Sequence, residues 1–154
     1  MKHLTVLLLA LVALISACSK QPECSVKDGG NSLAPSSGCL VVDQGEVLLV
    51  KIMGGSYGPP GGSVNKRESA QCAAERETWE ETGVEARAGE LVMTFENGFQ
   101  LYACESVSGR EITITRPLEI KDADWFSYEQ LGQLRWRYPE QGSIIQQLVQ
   151  GSES

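Results

Sequence analysis

The sequence predicts an α/β fold, and three observations carry that expectation. Two β-rich runs, C-L-V-V-D from Cys39 and E-V-L-L-V-K ending at Lys51, flank Gln44-Gly45 and read as a hairpin. A helix follows between Ser69 and Gly83. Ser69 suits its N-cap, Ala70, Ala73 and Ala74 are strong helix formers, and Gly83 suits the position past its last turn. Beyond it the chain returns to strand patterns and closes on an amphipathic helix. With no internal repeat and no second set of elements, this is one domain.

The chain opens on a segment that does not belong to the fold. Lys2 supplies a charged start and Leu4 to Ile15 a short apolar run, too short to span a bilayer comfortably. The run ends Ile15-Ser16-Ala17-Cys18, which resembles the bacterial lipobox. That resemblance implies cleavage before Cys18 and acylation of Cys18, leaving the protein tethered to a membrane by lipid. An ordinary secretory signal cut at the same place would leave Cys18 free, and either signal exports the chain. Ser19 after the cysteine suits outer-membrane sorting in a host with two membranes, so the expected location is the cell envelope. The expected division is residues 1–17 as signal, 18–37 as tether and 38–150 as the folded domain. The tether is rich in Ser, Pro, Gly, Lys and Asp, and as a flexible coil would hold the domain about 25 Å from the lipid.

Loss of residues 1–17 leaves 137 residues, enough for one well-filled core, and loss of Lys2 moves the net charge from −7 to −8. So acidic a domain is a poor match for a nucleic-acid backbone. The one histidine, His3, leaves with the signal. That excludes a Ser-His-Asp triad, a Cys-His dyad and any His-ligated zinc. Acid–base work falls to carboxylates, Lys, Tyr or metal-bound water.

After the hairpin, Met53 to Gly61 is a glycine- and proline-rich loop whose one large side chain, Tyr57, is expected to cover the hairpin. Past Gly83, Leu91 to Phe95 and Phe99 to Glu105 flank the turn signal Asn97-Gly98. Glu111 to Arg116 alternates as E-I-T-I-T-R and predicts another strand, and Ala123 to Phe126 a short final one. Ser127-x-x-Gln130 reads as a capping box. Pro139 begins the last helix, with Ile144, Ile145, Leu148 and Val149 as its buried stripe.

The chemistry concentrates on the first helix. Glu77, Glu80 and Glu81 stand at i, i+3 and i+4, so their carboxylates share a face. Arg76 pairs with Glu80 one turn on, but one guanidinium does not neutralise three acids. A hard divalent cation with oxygen ligands, Mg²⁺ or Mn²⁺, is the natural partner. The stretch Gly62 to Val84 resembles the Nudix box, G-x5-E-x7-R-E-U-x-E-E-x-G-U, with U a bulky aliphatic residue. Gly62, Glu68, Arg76, Glu77, Glu80, Glu81, Gly83 and Val84 fall in register, and Thr78 stands where U is expected.

The resemblance implies an α/β/α sandwich with a mixed sheet and a loop-helix-loop catalytic motif. It also implies hydrolysis of the diphosphate bond in a nucleoside diphosphate linked to a second moiety. On that reading Glu77, Glu81 and Glu80, with the Gly61 carbonyl, hold Mg²⁺. Arg76 orients the carboxylates, and Gly62, Glu68 and Gly83 support the motif. Glu119, in the loop before the Trp125 strand, is the candidate further carboxylate, with Glu96 second. A non-catalytic sensor lipoprotein on the same fold is the alternative, and hydrolysis of a small diphosphate would exclude it. Dinucleotides, ADP-ribose-like compounds and sugar nucleotides all remain open as substrates.

Four cysteines remain once Cys18 is set aside: Cys24, Cys39, Cys72 and Cys104. An even number in an exported domain points to disulfides, with three pairings available. Proximity of Cys24 to Cys39 in the chain favours Cys24–Cys39 with Cys72–Cys104, a pairing that would pin the end of the tether to the sheet.

Overall fold

The computed structural model describes residues 20–26 and 33–152. The expected signal segment and Cys18 lie outside the described residues. Among the described residues, seven strands and three helices follow in order: β1 (Ser36–Asp43), β2 (Glu46–Ile52), β3 (Tyr57–Gly58), β4 (Gly61–Ser63), α1 (Ala70–Thr82), β5 (Ala86–Thr94), β6 (Gln100–Ser106), β7 (Ile120–Ser127), α2 (Tyr128–Leu131) and α3 (Pro139–Ser152). The sheet runs β3-β2-β1-β6-β5, with β4 against β1 and β7 against β2. β1 and β6 are parallel while the other pairs are antiparallel, so the sheet is mixed, as expected.

The β1–β2 hairpin turns where the sequence places it. Gln44 and Gly45 both adopt positive φ, 52° and 76°, which matches the twist of the flanking strands. Alternation along the strands then divides the core between two faces. Cys39, Val41, Leu48 and Trp125 point to the side covered by Ala70 and Ala74 of α1. Leu40, Val47 and Leu49 point to the other, where Leu131 of α2 and Ile145 and Val149 of α3 cover them. The helices lie on opposite faces of the sheet, the predicted α/β/α arrangement. Full burial of an aliphatic side chain such as Ile145 contributes about 1.5–3 kcal/mol, so neither layer is dispensable.

The helix ends also match. Ser69 Oγ accepts the Cys72 N–H at 3.1 Å, and Gly83, at φ 74°, donates its N–H to Trp79 O. At α2, Gln130 Oε1 accepts the Ser127 N–H at 2.7 Å. Tyr57 packs edge-on against Phe126 with ring centroids 5.2 Å apart, over the hairpin as expected.

Two expectations are corrected. The segment from Glu111 to Arg116 is not a strand. Its alternation is real, but it crosses the end of α1, where Thr113 donates its N–H to Thr82 O at 2.8 Å and the Thr115 hydroxyl donates to Glu80 O. Those helix carbonyls take the hydrogen bonds that a sheet edge would otherwise supply.

The disulfide pairing is also different. Cys39 bonds Cys104, and Cys24 bonds Cys72. Cys39 and Cys104 lie on the neighbouring parallel strands β1 and β6, with Cα atoms 5.5 Å apart, and both face α1. Cys72 instead lies near the surface on α1, where residues 20–26 reach it. The Ser25 N–H donates to Glu75 Oε2 at 2.9 Å and the Ser25 hydroxyl to Glu75 Oε1, so this segment is fastened to the helix rather than to the sheet.

Candidate active site

The site is built where β4 passes α1. Gly61 and Gly62 pair with Gly38 and Ser37 of β1, and Ser37 Oγ donates to Ala70 O at 2.7 Å, locking β1 to the start of the helix. The two glycines are required by closeness. A Cβ on Gly61 would lie 2.5 Å from Ser37 O, and one on Gly62 would lie 2.5–2.8 Å from the carboxyl atoms of Glu77. With no side chain in the way, the Gly61 N–H donates to Glu81 Oε2 at 2.9 Å.

Glu77, Glu81 and Glu119 line one cavity of about 480 Å³ together with Gly61, Gly62, Arg116 and Arg137. Glu81 is only 6 % exposed. Burial pushes its pKa up to about 8; the Gly61 N–H opposes this, the charges of Glu77 and Glu119 add to it, and Arg137 opposes it. Glu119 sits at the rim with 61 % of its side chain exposed, 3.4 Å from Arg116 Nη1.

Arg76 is the hub of the motif. It bonds Glu68 through Nε (2.8 Å) and Nη2 (3.0 Å), Glu77 Oε1 through Nη1 (2.6 Å), and Ser63 O through Nη2 (2.9 Å). Hydrogen bonding to Glu68 raises the guanidinium pKa above its ordinary value, with burial opposing and Glu77 adding to the rise. Burial raises the Glu68 pKa, but the hydrogen bonds from Arg76 and the Asn65 amide outweigh it and hold the carboxyl below its usual range. Arg76 therefore connects the glycine strand, the loop before the helix and Glu77.

Glu80 stands apart from the other two helix acids. Its carboxylate pairs with Arg116 and lies 3.4 Å from Arg76, and it does not line the cavity. Glu96 is exposed in the β5–β6 turn and is not part of that cavity either. Gly61 meets Glu81 through its N–H; its carbonyl was the expected ligand. Among the described residues, no three acidic, cysteine or histidine side chains converge closely enough to enclose a metal ion. The donor set nevertheless suits a hard divalent cation. It is all oxygen, Glu77 and Glu81 share the cavity, and burial raises the Glu81 pKa to about 8, a shift that a bound cation would oppose.

Sequence reasoning missed Arg137, Arg116 and Gln141. The backbone from Arg135 to Arg137 joins the edge of β3: Tyr57 N donates to Arg135 O and Arg137 N to Tyr57 O, both at 2.8 Å. That bond places Arg137 at the cavity, and among the described residues no carboxylate pairs with it. The only sequence signal was a cationic R-W-R run before a helix start, common on any surface. Buried Glu75 was also missed; it accepts the Ala88 N–H at 2.9 Å besides its bonds from Ser25.

Residues 32–148 match the family model described as the NUDIX domain. Among solved structures, an ADP-ribose pyrophosphatase from Streptococcus suis 89-1591 is similar at 19 % identity and TM-score 0.62, covering 77 % of this chain and 91 % of that one. A NUDIX hydrolase from Nitrosomonas europaea is similar at 21 % identity and TM-score 0.64, covering 77 % and 89 %. A C. elegans Ap4A hydrolase is similar at 19 % identity and TM-score 0.63, covering 77 % and 98 %. At these identities the likeness speaks to the fold. No curated protein matches the sequence.

Proposed function

The chain belongs to the NUDIX domain family, and from that premise we propose that it is an exported, lipid-anchored pyrophosphohydrolase. Its substrate is a nucleoside diphosphate linked to a second moiety, and its cofactor is Mg²⁺, with Mn²⁺ able to substitute. The observation that carries the reading is the convergence of Glu77, Glu81 and Glu119 on one cavity that also takes in Gly61, Gly62 and Arg137. A carboxylate cluster with an unpaired guanidinium beside it suits a ligand that is itself anionic and arrives with a cation.

Each side chain has a derivable part. Glu77 and Glu81 would hold the cation, which when bound supplies charge neutralisation for the diphosphate and a lowered pKa for water. Arg76 fixes Glu77 through its 2.6 Å bond to Oε1. The Gly61 N–H holds Glu81 Oε2 in place. Arg137 binds diphosphate oxygens. Glu119 at the open rim accepts the proton of the attacking water at its carboxylate, as the water oxygen bonds one phosphorus and the bridging P–O bond breaks. Glu80, held by Arg76 and Arg116, keeps the end of α1 and the segment before Glu119 in fixed relation.

Purified protein should hydrolyse at least one compound from a panel of dinucleotides, ADP-ribose-like compounds and sugar nucleotides when Mg²⁺ is present, and none in EDTA. Glu81→Gln should lower turnover by at least about 1,000-fold while keeping the fold, because it removes charge but preserves shape. Wild-type turnover in that variant would refute the assignment. Export is supported by the use of all four described cysteines in disulfides, as suits an oxidising compartment. Cys18→Ser should move the protein from the membrane fraction to the soluble one; an unacylated Cys18 at the mature terminus would leave simple secretion.

A further inference from the structure

A second cavity, about 340 Å³, adjoins the first and shares Gly61, Gly62, Glu81 and Arg137 with it. Its outer walls differ in character. Pro59, Phe99 and Tyr138 supply apolar and aromatic surface, and Gln141 of α3 supplies a polar group. Gln141 is 4 % exposed, and its side-chain Oε1 is buried with no hydrogen-bond partner among the described residues. A buried acceptor without a donor loses its hydration for nothing in return, so it is an uncommon thing for a fold to retain.

Gly58 stands beside this oxygen. Gly58 lines the same cavity, and a Cβ placed on it would stand 3.6 Å from Gln141 Oε1. The absent side chain leaves unfilled the position from which a methyl group would contact the acceptor. The arrangement is a flat-walled recess with one unanswered carbonyl oxygen, joined at Arg137 to the cavity of the carboxylates.

We propose that this recess seats the nucleobase of the substrate, and that Gln141 selects a base bearing an exocyclic amino group. The inference rests on the diphosphate hydrolase reading above. An amino group projects from the ring edge and brings N–H donors to an acceptor recessed in a wall. Uracil offers no amino group, and its N3–H is recessed between two carbonyl oxygens. Adenine, cytosine and guanine carry such a group and uracil does not. Aromatic walls add sequence-tolerant stacking, and the amide supplies the discrimination. Arg137, at the junction, holds the phosphate next to the base-bearing nucleoside.

Matched substrates test this: a nucleoside diphosphate ester of adenine beside its purine counterpart, and one of cytosine beside its 4-deamino counterpart. The members of each pair differ only in the amino group. With Mg²⁺, wild type should favour the amino-bearing member of at least one pair by about 10- to 100-fold in kcat/KM, expressed mainly in KM. The corresponding nucleoside monophosphates should show the same preference in Kd by calorimetry in EDTA. Gln141→Leu should bring both ratios to within about twofold. Gly58→Ala should do the same by filling the approach, and because 3.6 Å is an ordinary contact distance the fold accommodates the methyl group. The two arms separate a purine from a pyrimidine. Equal hydrolysis of both members of both pairs overturns the proposal and leaves the hydrolase reading standing. Ratios unchanged by both variants overturn it likewise. No Mg²⁺-dependent hydrolysis of any of the four compounds, with hydrolysis of another member of the wider panel, overturns the proposal alone, and no hydrolysis of any panel member removes both.

Discussion

The Gly61 backbone N–H lies 2.9 Å from Glu81 Oε2, so the glycine strand directly holds a carboxylate that burial keeps protonated up to about pH 8. The contact joins the loop half of the motif to its helix half and gives the cation-free protein a titration of its own.

Stability without metal should fall as pH rises. The Glu81 pKa is raised from 4.5 to about 8, so between these values the folded protein keeps a proton that the unfolded chain has lost. Its contribution is fully present below about pH 4.5 and is lost as pH rises through 8, with a slope on the order of 1 kcal/mol per unit. Glu68 is shifted the other way, and its effect lies at the acid side of this window. Urea unfolding in EDTA at pH 5–8 should show the slope, and Glu81→Gln should flatten it.

Gly62→Ala should damage catalysis more than stability. Its Cβ would meet the Glu77 carboxyl at 2.5–2.8 Å, and that carboxyl, the far end of a flexible side chain, can move aside. Moving it breaks the 2.6 Å bond from Arg76. A displacement of that size costs about 100-fold in kcat/KM, while the melting temperature should change by only a few degrees. Equal kinetics in the variant would show that Glu77 does not have to stand where it does.

Arg76 should be replaceable by neither alanine nor lysine. Its side chain is 12 % exposed and serves Glu68, Glu77 and Glu80, so Arg76→Ala leaves poorly solvated carboxylates unanswered at a cost of about 3 kcal/mol. Lysine restores the charge but not the fork that spans Glu68 and Glu77, so Arg76→Lys should recover part of the stability and little of the turnover. Denaturant unfolding beside steady-state kinetics separates the two.

Non-reducing peptide mapping should yield Cys24–Cys72 and Cys39–Cys104, and unfolded, unreduced protein should carry no free thiol apart from any at Cys18. Loops of 48 and 65 residues are closed, each worth about 4 kcal/mol in the chain-entropy model. Mild reductant should open Cys24–Cys72 first, since Cys39 and Cys104 are buried in the core.

What was legible in the sequence was local. Ser69 and Gly83 mark their helix because caps act within one turn, and Gln44-Gly45 marks its hairpin because the turn needs positive φ at both positions. Helical spacing likewise placed Glu77 and Glu81 together. The disulfide partners were not legible, because Cys39 meets Cys104 across a parallel pairing that connects residues 65 apart. The same holds for Arg137, positioned by a backbone bond to Tyr57 on an edge strand. Periodicity shows that Glu80 shares a helix face with Glu77 and Glu81, but not the Arg116 with which its carboxylate pairs. Alternation in Glu111 to Arg116 promised a sheet edge, and the end of α1 claimed the segment instead.

The Cys24–Cys72 bridge changes how an anchored protein would stand on its membrane. If Cys18 carries the lipid, the free span is not the whole of residues 18–37 but the six Cα–Cα steps from Cys18 to Cys24, with a reach of about 20 Å at full stretch. A leash that short fixes orientation as well as distance. The face of α1 that carries Cys72 would be turned toward the bilayer, and cutting the bridge would let the domain swing free on an anchor it never leaves.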